Sequence, residues 1–249
     1  MIQDLHSHTY YSFCGKDSPD EVVAAAIDGG IEMLGISDHS YGIGIGGIHA
    51  YLAPRDVVPP VYCNWQLQKY FEHISLIKEK YARDIKILCG IEVATQTHEY
   101  KAELPMDQDI SMFDYCLIEH LDVPSSITKG DLFAYAKRCA CPAVGIAHTD
   151  MFAFIKARGE DPLEYFSRMA RENIFWEMNV SYDSTHGYRE HGYMLEFFRN
   201  KDQQKIVKES GVCLSVGFDG HRADDYQPQR IKDYNKRIAD MGIKKVFEV

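Results

Sequence analysis

Ile2-Gln3-Asp4-Leu5 runs straight into His6-Ser7-His8, and the rest of the chain repeats what that stretch does. In a strand the side chains alternate faces, so residues two apart share one. His6 and His8 therefore leave a strand end on the same side. Two imidazoles so placed are a ready pair of metal ligands. His-x-His alone is a weak signal, because it also arises as a polar strand face. Its weight comes from recurrence. An apolar, β-rich run ends in a donor side chain again at Asp38-His39, Glu92, His120, His148 and Asp219-Gly220-His221.

Those runs cover 31–37, 85–91, 113–118, 143–147 and 212–218; a further run, 174–180, carries Glu177 and Asn179 on one face. Helical stretches lie between them. Ser18-Pro19-Asp20-Glu21 supplies a cap, a proline at the first helical position and the glutamate of a capping box, and Gly29-Gly30 stop that helix. Residues 65–82 place Leu67, Tyr70, Phe71, Ile74 and Ile77 on one stripe. Asp161-Pro162 opens another helix, and 131–139, 193–209 and 230–241 complete the set. Strands alternating with helices argue for βα units and a parallel sheet, and seven such strands suggest a closed barrel. In such barrels the site forms at the C-terminal ends of the strands, which is where the candidate ligands fall. Residues 41–60 stand apart. They are rich in Gly and Pro, carry His49 and Arg55, and are too long for an ordinary βα connection. Long loops are often lids, although a plain flexible insertion has the same composition.

With 249 residues, 45% of them hydrophobic, the chain can bury a sizeable core as a single domain spanning 1–249. No stretch approaches the roughly 20 apolar residues that span a bilayer. The N-terminus lacks the basic-then-apolar pattern of a secretion signal. Seven scattered cysteines (14, 63, 89, 116, 139, 141, 213) fit free thiols in a reducing compartment rather than a disulfide framework. A cytoplasmic protein with no membrane association is the expectation. The net charge of -10 disfavours nucleic acid as a partner, because an acidic surface repels polyanions. A small phosphorylated substrate stays compatible if metal ions reverse the local field. The oligomeric state is not legible.

The donor set is His6, His8, His39, His120, His148 and His221 with Glu92 and Asp219. Nitrogen and oxygen donors of this kind suit zinc, manganese or iron. They exceed the four donors of one tetrahedral zinc, so two or three ions are implied, with a carboxylate shared between at least two. In this order the set resembles the PHP domain superfamily, named for polymerases and histidinol phosphatases. The resemblance spans nearly the whole chain and implies a distorted (β/α)7 TIM-like barrel, a trinuclear site and phosphoester hydrolysis by a metal-activated hydroxide. Carried over, the first ion takes His6, His8, Glu92 and Asp219, and the second takes His39 and His221. The third takes Glu92 as the bridge, with His120 and His148. Asp38 supports the site from behind. One departure stands out. Many members place an Asp or His in the loop after the first strand, where this chain reads Ser12-Phe13-Cys14-Gly15-Lys16-Asp17. Cys14 sits nearest the expected place, with Asp17 or water as the alternatives.

The resulting expectation is a metal-dependent phosphoesterase acting on a small phosphomonoester, histidinol-phosphatase-like, with Glu92, Asp219 and His221 as catalytic residues. His221 or a bound water would protonate the leaving group. Arg55, Arg189 and Arg222 are candidate phosphate clamps, since a guanidinium matches phosphate geometry, although a surface charge is the commoner role of a single arginine. His49, His186 and His191 read as structural or solvent-exposed, although their loops could roof the site, and Glu177 and Asn179 as polar packing inside the barrel. Three alternatives share the donor set: a metal-dependent nuclease, an amidohydrolase-like hydrolase and a non-catalytic metal-binding domain. The second is disfavoured because neither Lys86 nor another strand-end lysine fits the metal-bridging role.

Overall fold

The structure is a computed structural model and describes residues 1–12, 14–45, 64–96 and 109–248. Seven parallel strands follow one another around the sheet in chain order. They are β1 (Gln3–Asp4), β2 (Met33–Ile36), β3 (Lys86–Ala94), β4 (Tyr115–Glu119), β5 (Val144–Ile146), β6 (Ile174–Asn179) and β7 (Leu214–Gly217). The two edges then meet. Leu5 N donates to Val216 O at 2.8 Å, Asp219 N to His6 O at 2.7 Å and His8 N to Gly220 O at 2.8 Å, so the sheet nearly closes. This is the distorted (β/α)7 barrel that the sequence led us to expect.

The described helices are α1 (Pro19–Asp28), α2 (Ser40–Ile45), α3 (Asn64–Lys80), α4 (Leu132–Cys139), α5 (Met151–Ala157), α6 (Pro162–Arg171), α7 (Gly192–Arg199), α8 (Lys201–Ser210) and α9 (Pro228–Asp240). None of them is long and apolar enough to cross a membrane. The capping box at Ser18 forms as expected. Three readings need correction. The stretch 193–209 is two helices, because Asn200 leaves helical geometry and its Oδ1 accepts from Asp202 N at 3.1 Å and Gln203 N at 3.2 Å, starting a new helix. Residues 41–45, read as part of a long loop, belong to α2. The rest of that loop, with His49 and Arg55, lies outside the described residues. Helix α5 was missed; Asp150 caps it, with Oδ1 accepting from Ala153 N at 2.9 Å.

Strand alternation divides the core in two. Cys89, Ile91, Val93, Cys116, Ile118, Trp176, Met178 and Val216 face outward into the helical layer. Leu5, Met33, Leu88, Tyr115, Leu117 and Phe175 fill the barrel, and Val246 packs with them. Its N–H donates to Leu214 O at the start of β7, so it closes the N-terminal end. Tyr115 lies across β2 and β3, where glycine is required. A Cβ on Gly35 would stand 2.1 Å from its hydroxyl, and one on Gly90 2.4 Å from Cζ. The hydroxyl donates to Leu5 O at 2.6 Å. Read along the strands, the inward positions run Leu88–Gly90–Glu92, Tyr115–Leu117–Glu119 and Phe175–Glu177–Asn179. Each ladder is apolar below and polar at the C-terminal end. Glu92, Glu119 and Glu177 are almost fully buried there. Buried carboxylates need partners, and the site is built from those partners.

Candidate metal centre

Glu92 lies inside β3, not after it as the sequence reading had it. It is 1% exposed and ringed by imidazoles. Its Oε2 lies 2.7 Å from His39 Nδ1 and 3.6 Å from His8 Nε2. Its Oε1 lies 3.3 Å from His148 Nε2 and 3.5 Å from His6 Nε2. Asp219, after β7, faces the same space: Oδ1 is 3.0 Å from His8 Nε2, 3.5 Å from His6 Nε2 and 3.9 Å from His221 Nδ1. His6 Nε2 and His8 Nε2 are 3.1 Å apart. The His8 ring is sandwiched between those of His39 and His221, with centroids 4.4 Å away on either side. His120, after β4, is 6.4 Å from His148 ring to ring. The structure thus brings together the six histidines, Glu92 and Asp219 of the donor set.

Support from behind fixes how these rings point. His6 Nδ1 is 2.6 Å from Glu177 Oε1, a carboxylate that can only accept, so Nδ1 carries the hydrogen and Nε2 turns to the centre. Gly217 makes the room: a Cβ there would stand 2.2 Å from Glu177 Oε1 and 2.6 Å from His6 Cβ. His8 is held by a relay. Its Nδ1 lies 3.1 Å from Ser12 Oγ, and that hydroxyl donates to Asp38 Oδ1 at 2.6 Å. Ser12 must therefore accept from His8 Nδ1–H, which leaves Nε2 turned inward towards Asp219. Asp38 also accepts from Thr9 N, Thr9 Oγ1 and Ser12 N. It pins the loop after β1 and contacts the centre only through that hydroxyl.

Charge follows from this packing. Burial would raise the Glu92 carboxyl, but His39, His6 and His148 outweigh it and hold the group well below the usual range. Asp219 is held down likewise, against its burial, by His6, His186, His8 and His221. Burial works against protonated His6, yet Asp219, Glu177 and Glu92 keep it cationic well above the ordinary range. His8 goes the other way, lowered by burial and by neighbouring His39. Cys14 completes a group with His8, His39 and His221, one donor atom from each lying within 4.8 Å of the others. Its burial alone would raise the thiol; His39 and His221 bring it down to about 6. Asp17, the alternative, has its Oδ2 on the Ala223 N–H at 2.6 Å.

Three of the strand exits use unusual backbone. His120 has φ 61°, His148 φ 25° and Asp219 φ 56°, all on the left-handed side. His and Asp are among the few side chains that visit this region readily. The turn swings each donor inward immediately after its strand.

Other named residues are placed differently. Arg222 is closed on Asp224 by two contacts of 3.0 and 3.1 Å, and it sits at the surface. Arg189 lies on the exposed stretch after β6. His186, read as structural or exposed, lies 3.2 Å from Asp219 Oδ2 through Nε2. His191 stacks on His148 with centroids 5.8 Å apart. Glu177 is more than polar packing, since its second oxygen also accepts the His148 N–H at 2.8 Å. Glu119 was not singled out. Its Oε2 lies 3.3 Å from His120 Nδ1 and 3.9 Å from His39 Nδ1. The signal that could have found it is alternation: position 119 shares the inward face with 115 and 117.

The donors suit transition ions. Groups able to hold one are His6–His8–Glu92, His39–Glu92–Glu119, His8–Cys14–His39–His221 and Asp183–His186–His221. Among the described residues, buried His221 Nδ1 makes no hydrogen bond, as befits a nitrogen whose partner is a cation, and His120 Nδ1 faces the Glu119 carboxylate at 3.3 Å. Donors on one tetrahedral ion at ordinary bond lengths stand about 3.3 Å apart, which is the separation of His148 Nε2 from Glu92 Oε1.

The profile of the PHP domain family matches residues 4–248, and the chain belongs to that family. Among curated proteins, none matches the chain in sequence. Among solved structures, the chain is similar to histidinol phosphate phosphatase from Lactococcus lactis subsp. lactis Il1403, solved with zinc, L-histidinol and phosphate. The identity is 14%, the TM-score 0.53, and the match covers 98% of this chain and 95% of that one. It is also similar to a structure described for YwqE from Bacillus subtilis and CpsB from Streptococcus pneumoniae, metal-dependent tyrosine phosphatases. There the identity is 12%, the TM-score 0.50, and the coverage 95% and 87%.

Proposed function

We propose that the chain is a metal-dependent phosphoesterase that hydrolyses a small phosphomonoester, with histidinol phosphate as the first substrate to test. The observation that carries this is Glu92: one buried carboxylate with two oxygens, each facing two inward imidazoles. That arrangement suits a carboxylate shared between ions. His6, His8 and Asp219 would hold the first ion with Glu92; His39, His221 and Cys14 the second; His120 and His148 the third, again with Glu92. Bound ions would supply charge neutralisation at the phosphoryl oxygens and an activated water.

The chain's own residues do the rest. Glu177 and the Ser12–Asp38 relay keep the Nε2 atoms of His6 and His8 turned inward, so no ring must reorient when a ligand arrives. Asp219 and Glu92, held ionised, offer negative charge to the inward imidazoles. His221 stacks on one face of the His8 ring, and a proton delivered to the leaving oxygen would come from it or from water. The family pattern and the neighbour solved with L-histidinol and phosphate support the substrate class.

The test is elemental analysis of protein purified without chelator, followed by turnover of histidinol phosphate, phosphotyrosine, other small phosphomonoesters and single-stranded oligonucleotides on one metal-loaded preparation. We expect two to three ions per chain and turnover of at least one phosphomonoester above that of any oligonucleotide. Efficient oligonucleotide cleavage without phosphomonoester turnover would replace this reading with a nuclease.

A further inference from the structure

The segment after β6 carries into the centre a side chain that lies outside the ligand set transferred from the family pattern. His186 Nε2 lies 3.2 Å from Asp219 Oδ2, whereas His8 and His6 approach Oδ1. Asp219 therefore presents one oxygen to each side. The opposite nitrogen, His186 Nδ1, lies 2.7 Å from Asp183 Oδ1, and the same oxygen accepts the His186 backbone N–H at 2.9 Å. Asp183 is 1% exposed. A buried carboxylate holding Nδ1–H turns Nε2 to the centre, the support that stands behind metal-bound histidines generally. Donor atoms of Asp183, His186 and His221 lie within 4.8 Å of one another. His221 is 5% exposed, and its buried Nδ1 makes no hydrogen bond among the described residues. Two donors on one tetrahedral ion stand about 3.3 Å apart, which the His186–Asp219 contact matches.

We propose that His186 is a metal ligand: with Asp219 Oδ2 it completes, on the β6 side of the centre, the seat of the borderline divalent ion, such as zinc, that His221 holds, and Asp183 positions its imidazole. The proposal rests on the metal-centre reading above. It makes Asp219 a second bridging carboxylate, with Oδ1 serving the His6–His8 ion and Oδ2 serving this one. The competing account is an imidazolium held between Asp183 and Asp219 as a purely structural ion pair.

The test strips the protein with chelator, reloads it with zinc and reads metal directly. Anomalous diffraction at the zinc edge on the wild-type chain should place an ion about 2.0–2.1 Å from His186 Nε2. In solution, His186→Asn should lose one ion per chain or bind its weakest ion at least tenfold less tightly. Asp183→Asn should weaken the same ion by about 10–100-fold, with the remaining ions unchanged. An ion at His6, His8 and Glu92 with His186 still against Asp219 would overturn the proposal while leaving the centre intact. So would unchanged zinc content and affinities in a folded His186→Asn. Failure of the wild type to hold any ion after reloading would instead sink the metal-centre reading itself, and the proposal with it. Should either variant lose its thermal transition, the wild-type diffraction decides.

Discussion

Replacing Glu177 by Gln isolates how much the support behind His6 contributes. The carboxylate makes two short contacts at once, beside a longer one from Asn179 Nδ2 at 3.5 Å: Oε1 lies 2.6 Å from His6 Nδ1, and Oε2 accepts the His148 N–H at 2.8 Å. It is 1% exposed, so water cannot substitute. Gln has nearly the same volume and leaves no cavity, but it has only one acceptor. Whichever way the amide turns, either His6 Nδ1–H or the His148 N–H meets an NH2 group. The lost charge-assisted hydrogen bond amounts to about 1.5–3 kcal/mol. Removing the carboxylate behind a ligating histidine typically lowers metal affinity 10–100-fold, or about 1.4–2.7 kcal/mol. Zinc affinity measured by chelator competition should therefore fall by one to two orders of magnitude, while the metal-free chain keeps a cooperative melt. Equal affinity within twofold, in a variant that melts normally, would refute the claim that His6 is a supported ligand.

Glu92→Gln should abolish most activity and release at least one ion with the far-ultraviolet circular dichroism unchanged; full activity would remove Glu92 from the bridging role. Cys14 in the metal-free protein should be alkylated with a half-maximal rate near pH 6, because the thiolate is the reactive form and predominates above the thiol pKa, brought to about 6 by His39 and His221 against burial. Zinc should protect it, as peptide mapping would show; a midpoint at the ordinary thiol value, or no protection, would return Cys14 to plain packing. Gly217→Ala drives a methyl group to 2.2 Å from Glu177 Oε1. It should cost about 1–3 kcal/mol as overpacking, read as a lower melting temperature, and weaken zinc binding with it. An unchanged melt and affinity would show that the Glu177–His6 pair tolerates displacement.

What the sequence made legible was whatever repeats with a fixed period. Apolar runs closed by donors gave the strand count, their order and the C-terminal location of the site. Alternation put Glu177 and Asn179 on the inward face, though not the Glu177–His6 contact, since that depends on β6 lying beside β7 and β7 closing on β1. Glu119 obeys the same alternation and was overlooked because His120 beside it drew the ligand reading. His186 and Asp183 could not be reached this way. They sit on an irregular segment with no period, and only the fold brings them to Asp219. The Asn200 break was hidden because apolar periodicity continues across 193–209 while one side chain captures two backbone donors.

The left-handed turns at His120, His148 and Asp219 restrict which replacements are informative. Most L side chains lose about 1–2 kcal/mol on entering that region, whereas Asn enters it as readily as Asp or His, and Gly more readily still. An Ala or Val at these three places therefore mixes backbone cost with loss of a donor, while Asn measures the donor alone. The same restriction would operate over evolutionary time. A descendant that abandoned its ions would be released from histidine and aspartate chemistry but not from the turns. It should carry Asn or Gly at these strand exits, a conformational scar that outlasts the reaction.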